Sequence, residues 1–215
     1  MKNIEACIFD LDGVIVDTAK YHYLAWKRLA AELGFDFTEH ENELLKGVSR
    51  MTSLDILLDI GKLSFDEQTK IQLADKKNAW YIEYILKMTP SDILPGVLMY
   101  LRDVKREGYK MAIASASKNA RTCLTQIGIE SMFDAIVDGT KVSKAKPDPE
   151  VFLKAAEELG VSPEKCVVYE DAIAGVEAAI RAGMHCIGVG NAHLLKDAHL
   201  IIQNFDQTKV EWLKS

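Results

Sequence analysis

Two aspartates separated by one residue, Asp10 and Asp12, follow the first apolar run of the chain. Gly13 comes directly after them and allows a sharp backbone turn, so both carboxylates can face one crevice. Adjacent carboxylates repel each other, which favours a bound divalent cation or a shared proton. A cation that prefers oxygen ligands, such as Mg²⁺, suits this pair. Alternatively, the two aspartates only cap the loop that follows.

A second candidate group lies in residues 113–118, where small hydroxyl side chains close another apolar run. At a strand end that is followed by the start of a helix, Ser115 and the nearby backbone N–H groups can bind a phosphate. Capping of that helix by Ser115 or Ser117 is an equally open interpretation.

A lysine and two acids complete the set farther along the chain. Lys146 precedes Pro147, which favours an extended backbone and so fixes the direction of the ammonium group. Such a cation can neutralise the charge of a phosphoryl group during its transfer. Glu170 and Asp171 end another apolar run, where burial is tolerable beside a metal and unfavourable without one. A solvated acidic loop is the competing interpretation.

All these groups lie at the ends of strand-like runs, at residues 4–9, 110–115, 135–138, 166–171 and 185–189. The helix-like stretches between the runs end at glycines that suit a left-handed C-terminal cap, namely Gly108, Gly128, Gly160 and Gly183. The alternation predicts an α/β fold with a Rossmann-like parallel sheet covered by helices. In such sheets, polar residues at the carboxyl ends of the strands form the site.

Residues 17–88 break the alternation with three helical segments in succession. Apolar residues recur at helical spacing before Gly34 and again before Gly61. Ser64 and Glu67 predict a capping box for the third helix, which runs through Leu86. We therefore predict an inserted all-α helical cap domain at residues 17–88 and a catalytic core formed by residues 1–16 and 89–215.

The composition of the 215 residues, with 48% hydrophobic and 27% charged residues, is typical of a globular protein. The net charge of -6 argues against nucleic acid as a partner. No apolar run approaches the ~20 residues of a membrane span, and the first residues lack the apolar stretch of a signal peptide. The scattered Cys7, Cys123, Cys166 and Cys186 form no CxxC pair, so reduced buried thiols in a cytoplasmic protein are expected.

The four groups occur in the order that is typical of the haloacid dehalogenase superfamily, whose signatures match Asp10–Asp12, Ser115, Lys146 and Glu170–Asp171. The resemblance covers essentially the whole chain. It implies that Asp10 attacks phosphorus and forms an aspartyl phosphate, and that Asp12 acts as general acid and base. It also implies one Mg²⁺ per subunit, held by Asp10, by the backbone carbonyl of Asp12 and by Asp171. Glu170 would be a further ligand or would support the other ligands.

The predicted cap resembles the sugar-phosphate mutases of this superfamily in DTAKYHYLAW, LLKGVSR and KKN, and the core resembles them in SASKNA. By this resemblance Arg50 clamps the phosphate that is not transferred, and His22 hydrogen-bonds Asp12. Taken alone, His22 suits a surface histidine, Trp26 a core residue and Lys77 a solvated helix face. Met51 and Thr52 depart from the acidic or polar residues expected after Arg50. The other catalytic or substrate-binding residues that the resemblance implies are Thr18, Trp26, Gly47, Val48, Ser49, Ser53, Lys77, Ala116, Ser117, Lys118 and Asn119.

The implied activity converts β-D-glucose 1-phosphate to D-glucose 6-phosphate through an aspartyl-phosphate enzyme, with β-glucose 1,6-bisphosphate as intermediate and primer. Closure of the cap would exclude water while the phosphoaspartate exists. Two alternatives remain open: a sugar-phosphate phosphatase with the same nucleophile, and a phosphosugar-binding module without catalysis. The expected protein is a cytoplasmic monomer that acts on small-molecule sugar phosphates and has no nucleic-acid or membrane partner.

Overall fold

The computed structural model describes residues 3–45, 48–206 and 208–214. Within these residues the strands are β1 (Ala6–Phe9), β2 (Lys110–Ala114), β3 (Ala135–Val137), β4 (Cys166–Glu170), β5 (His185–Val189) and β6 (Leu200–Ile202). They form one parallel sheet in the spatial order β3-β2-β1-β4-β5-β6. Strands β1 to β5 coincide with the predicted apolar runs. Strand β6 was missed because it has three residues, of which two are only half-buried.

Eight α-helices were found in the same residues: α1 (Ala19–Glu32), α2 (Glu39–Asn42), α3 (Arg50–Ile60), α4 (Glu67–Ile85), α5 (Val97–Arg106), α6 (Ala120–Gln126), α7 (Glu150–Leu159) and α8 (Ile173–Arg181). Helices α1 to α4 follow one another after β1 with no strand between them. The predicted fold class, a parallel α/β sheet with an inserted helical cap, is therefore confirmed. The domain boundaries proposed from the sequence remain a prediction.

The sheet carries apolar residues on both faces, as expected for a parallel sheet covered on two sides. Ala6 and Ile8 of β1 pack in one buried cluster with Phe152 of α7. Phe9 points to the opposite face and belongs to a larger cluster that extends to Trp26 of α1. The cap helices and one face of the core thus share a continuous apolar cluster.

The ends of the helices correct one prediction and confirm another. Helix α4 is capped by Asp66, whose side chain accepts a hydrogen bond from the Thr69 N–H at 2.7 Å. The predicted Ser64–Glu67 capping box is wrong, because Glu67 is the first helical residue and a box needs the third. The predicted C-terminal glycines all have a positive φ, namely Gly108, Gly128, Gly160 and Gly183.

The register of the central strands brings the predicted chemical groups together. Phe9 of β1 is level with Ile113 of β2 and with Tyr169 of β4. Asp10 follows Phe9 directly, and its N–H donates to the Tyr169 carbonyl at 3.0 Å. Because parallel strands end at one edge of the sheet, Asp10 lies between the segment that begins at Ser115 and Glu170.

Two further expectations concern the chain as a whole. All four cysteines are buried and free, as predicted. Among the described residues, no helix combines the length and the apolar character that crossing a membrane requires.

Candidate active site

A cavity of about 480 Å³ lies between the carboxyl edge of the sheet and the helices α1 to α4. Its volume is that of a small-molecule site. The predicted site residues that line it are Asp10, Asp12, His22, Trp26, Val48, Ser49, Arg50, Ser53, Lys77, Ala116, Ser117, Lys118, Asn119, Lys146, Glu170 and Asp171. Thr18 and Ser115 are fully buried and do not line the cavity. Gly47 lies outside the described residues.

At the core end of the cavity, Lys146 forms two buried ion pairs. Its Nζ donates to Asp10 Oδ1 at 2.5 Å and to Glu170 Oε2 at 2.8 Å. Burial alone disfavours the ammonium form, but the two carboxylates hold the pKa of Lys146 above its usual value. The peptide bond between Lys146 and Pro147 is cis. Because Asp10 and Glu170 both favour the ammonium form, Lys146 stays charged beside the carboxylate at the end of the first strand.

A divalent cation fits beside this pair. Asp10, Glu170 and Asp171 each offer a carboxylate oxygen, and these oxygens all lie within 4.8 Å of one another. The backbone leaves room for the carboxylates: a Cβ at Gly13 would lie 2.1 Å from Asp171 Oδ2, and one at Gly175 would lie 2.0 Å from Glu170 Cδ. The three side chains provide only oxygen donors, which suits Mg²⁺. The backbone carbonyl of Asp12 as a further ligand remains a prediction.

The Asp12 side chain differs from that of Asp10 in its hydrogen bonding. Its Oδ1 is buried and has no hydrogen-bond partner among the described residues, and the same holds for Thr18 Oγ1. Burial, together with the charge of Asp10, raises the pKa of Asp12 to about 7. An unpartnered acid in a cavity can exchange a proton with a bound ligand.

The segment after β2 is a loop held by its own hydroxyl groups. Ser115 Oγ accepts a hydrogen bond from the Ser117 N–H at 3.1 Å, and Ser117 Oγ accepts one from the Asn119 N–H at 3.2 Å. Helix α6 begins only at Ala120, and its N-cap is Asn119. The alternative in which Ser115 or Ser117 is the helix cap is therefore wrong.

On the cap side, Lys77 is buried, which excludes the solvated-face interpretation. Its Nζ donates to Nδ1 of His22 at 2.9 Å and lies 4.3 Å from the centroid of the Trp26 ring. His22 also stacks on Tyr81, with 4.0 Å between the ring centroids. At Nδ1 of His22 the structure thus has Lys77, and not Asp12, as the partner.

On the cap side, the surroundings of His22 and Lys77 favour the neutral forms of both side chains. Burial and the charges of Lys77 and Arg50 lower the pKa of His22 well below its usual value. Burial and the charge of Arg50 likewise lower the pKa of Lys77. Lys77 thus lies beside a second cation, and the charge of Asp12 offsets only part of the effect on its pKa.

Arg50 is the first residue of α3, after the N-cap Ser49, whose Oγ accepts from the Thr52 N–H at 3.2 Å. Its Nη1 lies 3.7 Å from Oδ1 of Asp75, an acid with 71% of its side chain exposed. This long and solvated ion pair is weak. The guanidinium group is therefore available to an anion in the cavity.

The structure also adds cavity residues that the sequence did not predict, among them Asn42, Asp75, Asn78 and Lys144. Asn42 is buried, and its Oδ1 has no partner within the part of the chain that the structure describes. Asn78 Oδ1 accepts a hydrogen bond from Asn119 Nδ2 at 2.9 Å. Asn78 follows Lys77 directly, but spacing alone does not tell which side chains of a helix face the cavity.

The parallel sheet, with carboxylates and a lysine together at the ends of its strands, is the arrangement expected of an enzyme that transfers phosphoryl groups. A profile of the haloacid dehalogenase-like hydrolase family matches residues 7–189, and the chain therefore belongs to that family of enzymes. The chain is 43% identical to the beta-phosphoglucomutase of Bacillus subtilis, over 98% of this chain and 94% of that protein.

Other relatives include both mutases and phosphatases. A crystal structure of beta-phosphoglucomutase from Clostridium difficile superposes with a TM-score of 0.94 and 47% identity, and the match covers 98% of this chain and 96% of that one. The phosphorylated carbohydrates phosphatase of Thermotoga maritima is 36% identical over 93% of this chain and 91% of its own length.

Proposed function

We propose that this enzyme is a phosphomutase that converts β-D-glucose 1-phosphate to D-glucose 6-phosphate through β-glucose 1,6-bisphosphate. One observation carries the proposal: the cavity has cations at both ends, Lys146 beside Asp10 in the core and Arg50 with Lys77 in the cap. A sugar with a phosphate at each end would place one phosphate in each region. The similarity to beta-phosphoglucomutases supports the same reaction.

In the proposed mechanism, an Asp10 carboxylate oxygen attacks the phosphorus and an aspartyl phosphate forms. Asp12 gives a proton to the leaving sugar oxygen and takes one from the hydroxyl group that attacks next. Lys146 and the segment from Ser115 to Asn119 stabilise the charge on the phosphoryl oxygens. A Mg²⁺ ion held by Asp10, Asp12, Glu170 and Asp171 supplies further positive charge when it is bound.

The cap residues hold and orient the other end of the sugar phosphate in this proposal. Arg50 binds the phosphate that is not transferred, and Lys77 with Trp26 faces the sugar. His22, which is held by Lys77, and Thr18 govern the approach of Asp12. The remaining proposed binding residues are Gly47, Val48, Ser49, Ser53, Ala116, Ser117, Lys118 and Asn119. The four buried thiols are compatible with a reducing compartment, and we propose a cytoplasmic monomer.

A sugar-phosphate phosphatase with the same nucleophile is the second candidate, favoured by the similarity to the Thermotoga maritima enzyme. A single assay separates the two. Purified protein receives Mg²⁺, a trace of β-glucose 1,6-bisphosphate, and either β- or α-glucose 1-phosphate, while glucose 6-phosphate and inorganic phosphate are measured together.

The mutase proposal predicts that glucose 6-phosphate is the main product, that it forms from the β-anomer, and that little phosphate is released. Release of phosphate as the main product would replace this proposal with the phosphatase. Saturable binding of the sugar phosphate without any product would instead indicate a binding module. Chelation of Mg²⁺ by EDTA in the same assay is expected to abolish product formation.

A further inference from the structure

Helix α4 of the cap contacts the core through the apolar cluster described above and through polar side chains. Two of the polar contacts lie one turn apart on the same face of the helix. Asn119 Nδ2 donates to Asn78 Oδ1 at 2.9 Å. One turn farther along the helix, the Tyr81 hydroxyl lies 3.8 Å from Cys123 Sγ of α6. Residues three apart lie on the same side of a helix, so the two contacts form one line of attachment.

The Asn78–Asn119 contact differs from the Tyr81–Cys123 contact because both of its residues line the cavity. Asn119 is tied back to the core, since its N–H donates to Ser117 Oγ at 3.2 Å. Asn78 directly follows Lys77, the buried cation of the cap. The Asn78–Asn119 hydrogen bond therefore connects the Ser117–Asn119 loop of the core with the part of α4 that carries Lys77. Tyr81, one turn farther along α4, also interacts with Ser117 of this loop.

The contact is sensitive to the distance between cap and core. Asparagine is short, and N–H···O hydrogen bonds have donor–acceptor distances of about 2.7–3.2 Å, so the 2.9 Å contact can lengthen only slightly. An outward movement of α4 by about 1 Å would therefore break this bond. The two amides thus hold only when the wall of the cavity is closed between them.

We propose that Asn78 is a positioning residue that holds α4 against the Ser117–Asn119 loop and thereby keeps water away from the phosphoryl group on Asp10. This inference rests on the proposed mutase function. In transfer, a sugar hydroxyl oxygen attacks the phosphorus, the bond from phosphorus to Asp10 breaks, and the hydroxyl proton goes to Asp12. In hydrolysis, a water oxygen makes the same attack and inorganic phosphate leaves. Asn78 affects the choice between these two acceptors.

The test measures the ratio of inorganic phosphate to glucose 6-phosphate at saturating β-glucose 1-phosphate. Asn78→Ala is expected to raise this ratio about three- to tenfold, the factor that one neutral hydrogen bond accounts for. Alanine favours the helix, so the variant is expected to fold. Gln72→Ala is the matched control, because it also removes an amide from α4 but at an exposed position.

Two further variants separate positioning from a general disturbance. Asn78→Asp keeps an acceptor for Asn119 Nδ2, and its ratio is expected to return towards that of the wild type. Asn119→Ala is expected to lower activity, because Asn119 also lines the cavity. Adding Asn78→Ala to this variant is expected to change the ratio of phosphate to glucose 6-phosphate no further, because the two residues act through one bond.

The outcomes keep the inference and the proposed function apart. If the wild type forms no glucose 6-phosphate, the mutase function fails. If the wild type is a mutase and Asn78→Ala gives the same ratio as Gln72→Ala, the inference about Asn78 is wrong. Independent effects of Asn78→Ala and Asn119→Ala in the double variant would overturn it as well.

Discussion

The two ends of the cavity differ in the partners of their positively charged side chains. In the core, the Lys146 ammonium is held between two buried carboxylates, at 2.5 Å from Asp10 and 2.8 Å from Glu170. In the cap, the Lys77 ammonium is equally buried, but its hydrogen-bond partner is the uncharged ring of His22. The neighbouring Arg50 forms a long ion pair, at 3.7 Å, with the exposed Asp75.

This difference indicates which kind of ion each region can bind. The core cluster has more carboxylates than ammonium groups, an imbalance that a divalent cation would correct. The cap has one buried cation, Lys77, whose burial is offset only in part by the charge of Asp12, beside the half-buried Arg50. This arrangement is unfavourable until an anion binds. In the core, the charged groups are therefore paired with one another before the substrate binds. In the cap, the positive charges are balanced only when a phosphate is bound. The following predictions test this contrast, from the largest expected effect on free energy to the smallest.

Asp10→Ala is expected to lower turnover about 10⁴-fold or more, because it removes the nucleophile. The coupled assay for glucose 6-phosphate measures the loss, and rapid quench with mass mapping is expected to locate the phosphoryl group on Asp10 only in the wild type. The melting temperature serves as a control for folding. Turnover close to that of the wild type in this variant would refute the nucleophile assignment.

Lys146→Met is expected to lower the free energy of unfolding by about 3 kcal/mol, because it leaves Asp10 and Glu170 buried without their cation. Urea unfolding in the presence of EDTA measures the loss. Added Mg²⁺ is expected to stabilise the variant more than the wild type, since the carboxylates then depend on the metal. An unchanged stability would mean that the core cluster is not held by this ion pair.

Arg50→Ala is expected to raise the KM for β-glucose 1-phosphate about 10- to 100-fold, the factor for one hydrogen-bonded phosphate contact. Arg28→Ala is the matched control, because Arg28 is a cap arginine that stacks on Trp80 and does not line the cavity. Equal effects in the two variants would show that Arg50 acts through general charge alone.

Lys77→Met is expected to change the free energy of unfolding in the opposite direction from Lys146→Met. Without ligand it raises the free energy of unfolding by about 1 to 2 kcal/mol, because it removes a buried cation whose desolvation the charge of Asp12 offsets only in part. The pKa of Lys77 is lowered in the folded protein, so the gain is largest near neutral pH and disappears as pH approaches about 10.4, the usual lysine value. Urea unfolding at pH 7 and pH 10 measures this. A loss of stability at neutral pH would contradict the contrast between the two ends.

His22→Gln is expected to reduce the acid sensitivity of the protein by about 1 kcal/mol between pH 7.5 and pH 5.5. The pKa of His22 is lowered in the folded state, so below about 6.5 the unfolded chain binds a proton that the folded protein does not. Stability therefore falls as pH falls, and the variant lacks this contribution. Parallel pH profiles for the two proteins would count against a buried neutral histidine.

Much of the core could be predicted from the sequence, because apolar strand runs followed by acids are local signals. The five strands from β1 to β5 and the edge where Asp10 meets Glu170 follow from such signals. The cap was less predictable. The contact of Lys77 with His22 joins residues 55 apart, and it depends on how α1 packs against α4.

The errors have the same physical origin. Ser64 and Asp66 are both capable of capping α4, and only the backbone geometry decides that Asp66 does so. Asn78 was missed because one turn of a helix offers several polar residues, and the facing one is selected by packing. Short elements such as β6 lack the apolar period that would reveal them.

Gly175 shows how the site limits the evolution of the helix that supports it. The position lies in the first turn of α8, where alanine would favour the helix by about 1 kcal/mol. A methyl group there would overlap the Glu170 carboxyl group, since 2.0 Å is far below a van der Waals contact. Residues with higher helix propensity therefore cannot replace Gly175 without displacing Glu170. The lower stability of this turn of α8 is a consequence of the position that the site requires of Glu170.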